Sequence, residues 1–302
     1  MVLGLGGMMP MPGRFLTSVL LRHHGIISLF DCGEGTQVPI KASGFGIGKL
    51  QHFFLSHLHA DHLTGVPGML MFLTQAEPLH KVDIIGLPEV TQYVRTTRQL
   101  LHFYLSYQLR YTSLNPEGGD LSREEFTLHY LPLDHTIATL GFAYQEAMRP
   151  GKFSVEKARD LEIPEGPRWG ALQRGESITL GDRSIHPADV LGPPRRGRKF
   201  AYVIDTAPCA NAEALLAGAD LAVVESMFVE EHAAEAAEKK HLTARQAAQL
   251  VKSSGCTRAL LGHVSPRYKN GELRAMEEEA RAVCDRVELA KPLVRYQIPL
   301  PD

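Results

Sequence analysis

The densest chemistry in this chain lies in Ser56-His57-Leu58-His59-Ala60-Asp61-His62. It places three imidazoles and one carboxylate directly after the short apolar run Phe53 to Leu55. His57 and His59 alternate along what reads as nearly extended chain, so their side chains leave on the same side, and Asp61 and His62 follow where the chain must turn. Leu58, Leu63 and Val66 argue against a freely solvated His-rich loop. Burying three imidazoles and a carboxylate within one turn costs on the order of several kcal/mol without a compensating partner, and a metal ion is the most economical one. Two such ligand sets suit two adjacent metals, and a pair of zinc ions about 3.5–4 Å apart is a known device for cleaving phosphodiesters and acyl bonds with water.

A dinuclear site needs about three or four protein ligands per metal, so more must arrive from other elements. His135 follows the apolar run Leu128 to Leu133, Asp205 follows Phe200 to Ile204, and His263 follows Ala259 to Gly262. Each reads as a strand ending in a ligand-type residue. Taken singly, each also looks like an ordinary strand-end turn, above all Asp205 ahead of Thr206, Ala207 and Pro208.

The elements that must position these residues alternate along the chain. Short β-like runs fall at Thr17 to Leu21, Ile26 to Phe30, Phe53 to Leu55 and Val82 to Ile85, and Glu89 to His102 has the apolar spacing of a surface helix. The second half repeats the habit: a strand to Ile204, a helix near Ala212 to Leu216, a strand at Leu221 to Val224, and a helix from Thr243 to Ser253 that Thr243 is suited to cap. Strands followed by helices in both halves predict an α/β fold of two sheets with helices outside; composition alone does not separate this from one doubly wound sheet.

The order His57, His59, Asp61, His62, His135, Asp205, His263 resembles the metallo-β-lactamase superfamily. Four further words narrow the resemblance to the ribonuclease Z family: Asp-Cys-Gly-Glu-Gly-Thr-Gln at 31 to 37, Ser-His-Leu-His-Ala-Asp-His-Leu-Thr-Gly-Val-Pro-Gly at 56 to 68, His-Leu-Thr at 241 to 243, and His-Val-Ser-Pro-Arg-Tyr at 263 to 268. The likeness runs from about residue 3 to about residue 298. It implies an αββα sandwich of two mixed sheets with helices on the outer faces, formed by residues 1–302 as one domain.

By position, the resemblance implies that His57, His59 and His135 hold one zinc ion, that Asp61, His62 and His263 hold another, and that Asp205 bridges them. Mn²⁺ or Fe²⁺ also suits such ligands. The implied reaction is two-metal hydroxide attack on the 3′ trailer of transfer-RNA precursors, leaving a 3′-hydroxyl on the transfer RNA and a 5′-phosphate on the trailer. Asp61 acts in it as ligand and general base. Glu225, in Val-Glu-Ser-Met-Phe, and His241 match a proton relay to the departing 3′-oxygen. Asp31 either forms a turn or accepts a hydrogen bond from a ligating histidine; Glu34, Thr36 and Gln37 brace its loop. The chain departs from the family at Ile204, where a Gly usually precedes the bridging Asp, at Val224, where a His is common before the Glu, and at Gly-Leu-Gly-Gly, 4 to 7, in place of Gly-Thr-Gly. None of these changes removes a ligand.

Bulk properties add limits. The 302 residues with 44% apolar content can bury a large core. A net charge of −2 gives no global electrostatic case for RNA, so any basic surface must be local. The best local run is Arg195, Arg196, Arg198 and Lys199, an RNA contact or a solvated loop. Cys32, Cys209, Cys256 and Cys284 show no paired spacing and read as reduced thiols. The start lacks a signal-peptide pattern and no apolar run approaches the roughly 20 residues needed to cross a bilayer, so a soluble cytoplasmic enzyme is expected.

Residues 146 to 176 break the rhythm, with Pro150, Gly151, Pro164, Gly166, Pro167 and Gly170 around a short helical piece from Ser154 to Leu161. With the basic run, residues 146–198 read as an inserted arm and basic loop; a plain lid is the alternative. The family carries at this place an arm that grips the transfer-RNA elbow, often across a homodimer. Lys152, Lys157, Arg159, Arg168 and Arg174 would then serve phosphates. The leading reading is a transfer-RNA processing endoribonuclease. The alternatives are a hydrolase of small phosphodiesters, lactones or thioesters on the same fold, and an RNA-binding scaffold with a dead site, which the complete ligand set disfavours. Relatives with a large domain between the bridging Asp and the last His are disfavoured too, because 57 residues separate Asp205 from His263.

Overall fold

Alternating side chains on the central strands decide the architecture. A computed structural model describes residues 1–78 and 80–301. Among these, six strands form one sheet in chain order: β1 (Val2–Gly4), β2 (Ser18–His23), β3 (Ile26–Phe30), β4 (Leu50–Phe54), β5 (Val82–Gly86) and β6 (Leu109–Ser113). The sheet is mixed, antiparallel at β1, β2 and β3, then parallel from β3 to β6. Phe30, Phe54 and Ile85 point to one face, and their neighbours Leu29, Phe53 and Ile84 to the other. The second group packs on Met69, Leu70 and Leu73 of the helix Val66–Thr74 and on Val90 and Val94 of the helix Pro88–Leu100.

The second sheet takes up the opposite face. It comprises β7 (Gly119–Ser122), β8 (Phe126–Pro132) and β9 (Leu140–Glu146), then, beyond a small hairpin of β10 (Ile178–Leu180) and β11 (Arg183–Ile185), β12 (Lys199–Val203), β13 (Leu221–Glu225), β14 (Ala259–Gly262) and β15 (Val287–Leu289). Its order is β15-β14-β13-β12-β9-β8-β7, with β12 to β15 parallel. Phe30 meets Phe54, Phe200 and Tyr202 at ring-centroid distances of 4.8, 5.2 and 5.4 Å, so aromatic rings knit the two sheets together. The helices Ala210–Leu216, Ala244–Ser253 and Leu273–Arg281 close the outer side through Leu215, Val251 and Met276. The result is the expected αββα sandwich. Thr243 caps its helix as expected: its hydroxyl accepts from Gln246 N at 3.2 Å, and the Gln246 side-chain Oε1 accepts from Thr243 N at 2.9 Å.

Some boundaries differ from expectation. The helix expected over Glu89 to His102 stops at Leu100, and His102 takes φ +50°. The strand expected at Leu128 to Leu133 starts earlier, at Phe126, because Phe126 pairs with Glu146 across β9. The irregular stretch after β9 is more ordered than a loop with one helix. It leaves the sandwich as an antiparallel stalk, Arg149 facing Arg195 and Phe153 facing Leu191. It then builds the helices Val155–Asp160, Pro167–Gln173 and Pro187–Val190 with the hairpin around a separate core of Ala158, Ile163, Leu172, Ile185 and Val190. The neighbouring cations are largely engaged: Arg196 pairs with Asp220 at 2.6 Å and Arg198 with Glu146 at 2.8 Å, while Lys199 Nζ donates to Ala217 O at 2.7 Å. No described helix is long and apolar enough to cross a membrane.

Candidate metal centre

Every donor singled out in the sequence arrives at one end of the sandwich. β4 runs out at Phe54, the chain stays extended to His59, and a short helix, Ala60–Leu63, then carries Asp61 and His62. This turn is tightly backed: a Cβ on Gly33 would lie 2.3 Å from Asp61 O, and one on Gly65 would lie 2.0 Å from Gly33 O. Gly33 and Gly65 of the 31–37 and 56–68 words are thus required by close backbone approach. Three residues at the ends of β3, β12 and β14 take left-handed backbone conformations: Asp31 (φ +52°), Asp205 (φ +57°) and His263 (φ +55°). Such conformations carry a cost for residues with a Cβ and cluster at functional sites. Here they turn each side chain in toward the shared pocket.

The Asp205 carboxylate divides the histidines into two sets. Its Oδ2 lies 3.5 Å from His57 Nε2 and 3.5 Å from His135 Nε2. Its Oδ1 lies 3.4 Å from His62 Nε2 and 3.2 Å from His263 Nε2. His59 joins the first set, its Nδ1 3.2 Å from His135 Nε2, and Asp61 joins the second, its Oδ2 3.4 Å from His263 Nε2. Accordingly, donor atoms of His57, His59, His135 and Asp205 all lie within 4.8 Å of one another, as do those of Asp61, His62 and His263.

This donor set fits dications. His57 Nε2 and Asp205 Oδ1 are buried without any hydrogen-bond partner, and the facing nitrogens of His62 and His263 are 3.0 Å apart. Buried polar atoms are rarely left in that state unless something else satisfies them. Burial pushes the His57 imidazole down to about 4 and also lowers His59 and His135, which leaves their lone pairs free to coordinate. Burial opposes charge on His62, yet Asp205 and Asp31 raise its pKa well above the usual imidazole value; the pocket stabilises positive charge there. Burial likewise disfavours the Asp61 carboxylate, but His263 and His62 outweigh it and keep the group ionised.

A second layer holds the donors in place. Asp31 is fully buried; its Oδ2 accepts from His62 Nδ1 at 2.7 Å, from Tyr202 Oη at 2.8 Å and from Ser56 Oγ at 2.9 Å, and its Oδ1 accepts from Ser56 N at 2.8 Å. Its geometry matches the histidine-bracing reading. Ser56 Oγ lies 2.8 Å from His57 Nδ1, and His135 Nδ1 is 3.0 Å from Lys240 O. Glu225 faces His241 Nδ1 at 3.1 Å and also accepts from Thr206 N at 2.5 Å and Leu242 N at 3.1 Å. Burial works against a charged His241, but Glu225 beside it raises its pKa to about 9.

Sequence reasoning missed Tyr202, Ser56 and the Met8 amide, which donates to Asp61 Oδ2 at 2.6 Å. Tyr202 sits inside a strand that reads as core, and a backbone N–H leaves no mark in the sequence at all. Ile204 and Val224, two of the family departures, are fully buried and displace no donor.

A family model described as Anti-Pycsar protein Apyc1 matches residues 1–101, which hold the 56–62 donor loop and none of the later donors. Over 302 residues the chain is 42% identical to Ribonuclease Z of Treponema denticola, covering 100% of this chain and 98% of that protein. Among solved structures, human tRNase Z, short form, has a TM-score of 0.71 at 22% identity, covering 99% of this chain and 98% of that one. A Bacillus subtilis protein described as having the metallo-beta-lactamase fold has a TM-score of 0.66 at 19% identity, covering 96% and 95%. Both structural likenesses bear on the fold.

Proposed function

This chain belongs to the ribonuclease Z family, metal-dependent endoribonucleases of the metallo-β-lactamase fold, and from that premise we propose that it is zinc-dependent and removes the 3′ trailer of transfer-RNA precursors. The single observation that carries the reading is a complete, convergent donor set in a chain that aligns end to end with a ribonuclease Z. In this reading His57, His59 and His135 hold one metal, Asp61, His62 and His263 hold the other, and Asp205 bridges them; the two oxygens of Asp205, each facing its own pair of histidines, support that division. When bound, two dications supply an activated water and neutralise charge at the reacting phosphate.

The chain's own groups supply the rest. Asp61, fixed by the Met8 amide at 2.6 Å, accepts the proton of the attacking water. Glu225 holds His241 by Nδ1, which leaves Nε2 to donate its proton to the departing 3′-oxygen. The products are a transfer RNA with a 3′-hydroxyl and a trailer with a 5′-phosphate. The arm of residues 146–198, an independently packed module on a stalk, is the element we assign to the body of the transfer RNA, in a cytoplasmic homodimer.

The test offers the zinc-loaded protein a 3′-extended transfer-RNA precursor beside a lactone and an aryl phosphodiester, with Asp61→Ala as control. Scission next to the discriminator base is expected, and turnover of the lactone alone overturns the reading. Removing the arm beyond its stalk should weaken action on the precursor and spare the aryl phosphodiester; equal loss of both overturns the role of the arm.

A further inference from the structure

A second cavity lies at the other end of the sandwich. It encloses about 340 Å³, at the lower end of the range for small-molecule sites. Phe200, Leu221 and Leu260 line it from the first halves of β12, β13 and β14, the same strands that deliver Asp205, Glu225 and His263 at their far ends. Val2, Val19 and Leu21 line it from the first sheet. The floor is therefore aliphatic and aromatic, continuous with the core.

The rim has the opposite character. Arg22 and Arg295 both line the opening and both lie against the Phe45 ring, 5.9 and 5.0 Å from its centroid. Among the described residues, neither guanidinium has a carboxylate partner. The one carboxylate in the lining, Glu146, is already committed to Arg198 at 2.8 Å and His23 at 3.1 Å. Two uncompensated cations thus stand over an apolar floor. The cover, residues 295 to 298, is irregular chain tied down by few bonds, among them Lys291 N to Tyr296 Oη at 2.9 Å and Arg198 Nη1 to Ile298 O at 3.4 Å.

We propose that this cavity binds a monoanionic amphiphile, an alkyl chain with one carboxylate head: the chain lies on Phe200, Leu221 and Leu260, and the head pairs with Arg22 and Arg295. Burial of alkyl surface holds the body, and charge-assisted hydrogen bonds to guanidinium hold the head. At roughly 30 Å³ per water-sized group, the space takes on the order of eleven non-hydrogen atoms, which suits a medium-length chain. The proposal is independent of the reaction at the metal centre.

Octanoate is the probe, titrated calorimetrically into the full chain, with 1-octanol and acetate as controls. The expected result is saturable binding at one site per chain with Kd at or below about 1 mM and a thermal midpoint that rises with octanoate. Octanol and acetate should each bind at least about tenfold more weakly, since either head or body is missing. Arg22→Gln with Arg295→Gln, two exposed positions, should weaken octanoate by a similar factor while the unliganded melting curve stays in place. Leu260→Phe, which fills the floor, should abolish binding; if that variant fails to fold, the arginine pair still decides. Absence of saturable heat, an affinity unmoved by the arginine pair, or octanol binding as well as octanoate overturns the proposal.

Discussion

The two halves of the sandwich build one site in opposite ways. The first half supplies His57, His59, Asp61 and His62 from one continuous loop, whereas the second supplies His135, Asp205, Glu225, His241 and His263 from five separate places in the sequence. In the first half, one turn carries all four donors, and one buried brace, Asp31, holds His62 directly and Ser56 behind His57. In the second, Asp205 and His263 follow parallel strands and take costly left-handed conformations, Glu225 ends the parallel strand β13, and His135 follows the antiparallel strand β8. Local encoding makes a site robust to changes in distant packing. Dispersed encoding lets a single carboxylate, Asp205, tie both sets together.

That contrast is easiest to break at its junction. Asp205→Ala removes the one group facing both histidine pairs, and activity should fall by about a thousandfold or more, with both metals lost in elemental analysis of the purified protein. Loss of only one metal would mean that the first-half loop holds its ion unaided. Next in size, Glu225→Gln weakens the charged partner of His241 and should cost about 10² to 10³ in kcat with metal content unchanged. A drop in metal content would move Glu225 from proton transfer to site assembly.

The first-half brace gives a smaller effect. Asp31→Asn keeps the shape but weakens the bonds from His62 and Ser56, and should lower metal affinity by about 10- to 100-fold, read by competition with a chelator. The smallest effect concerns β4, which leads into the loop and carries His52 in the core, near Ser28 and stacked on Phe54. Burial pushes His52 down to about 4. It stays neutral when folded but takes up a proton near 6.5 when unfolded, so its full contribution is present above about 6.5 and is lost as pH falls toward about 4. The urea midpoint should drop across that window, by no more than about 3 kcal/mol in stability, and His52→Phe should flatten the drop. Hydrogen exchange at pH 5 should then show β4 opening more readily than β12; equal opening would remove the difference between the halves.

The sequence by itself determined the donor types, their order and the strand-to-ligand pattern, because a metal site needs specific atoms and because sheets announce themselves by short apolar runs before polar turns. The helix cap at Thr243 and the strand ends before Asp205 and His263 were legible for the same local reason. Only the tertiary structure decided that Tyr202 and the Met8 amide join the support, and that Arg196 and Arg198 are engaged by Asp220 and Glu146. It also decided that the arm of residues 146–198 carries a core of its own. Those outcomes depend on which distant segments meet, and such meetings are set by packing free energy summed over the whole sandwich, which no short stretch of chain encodes.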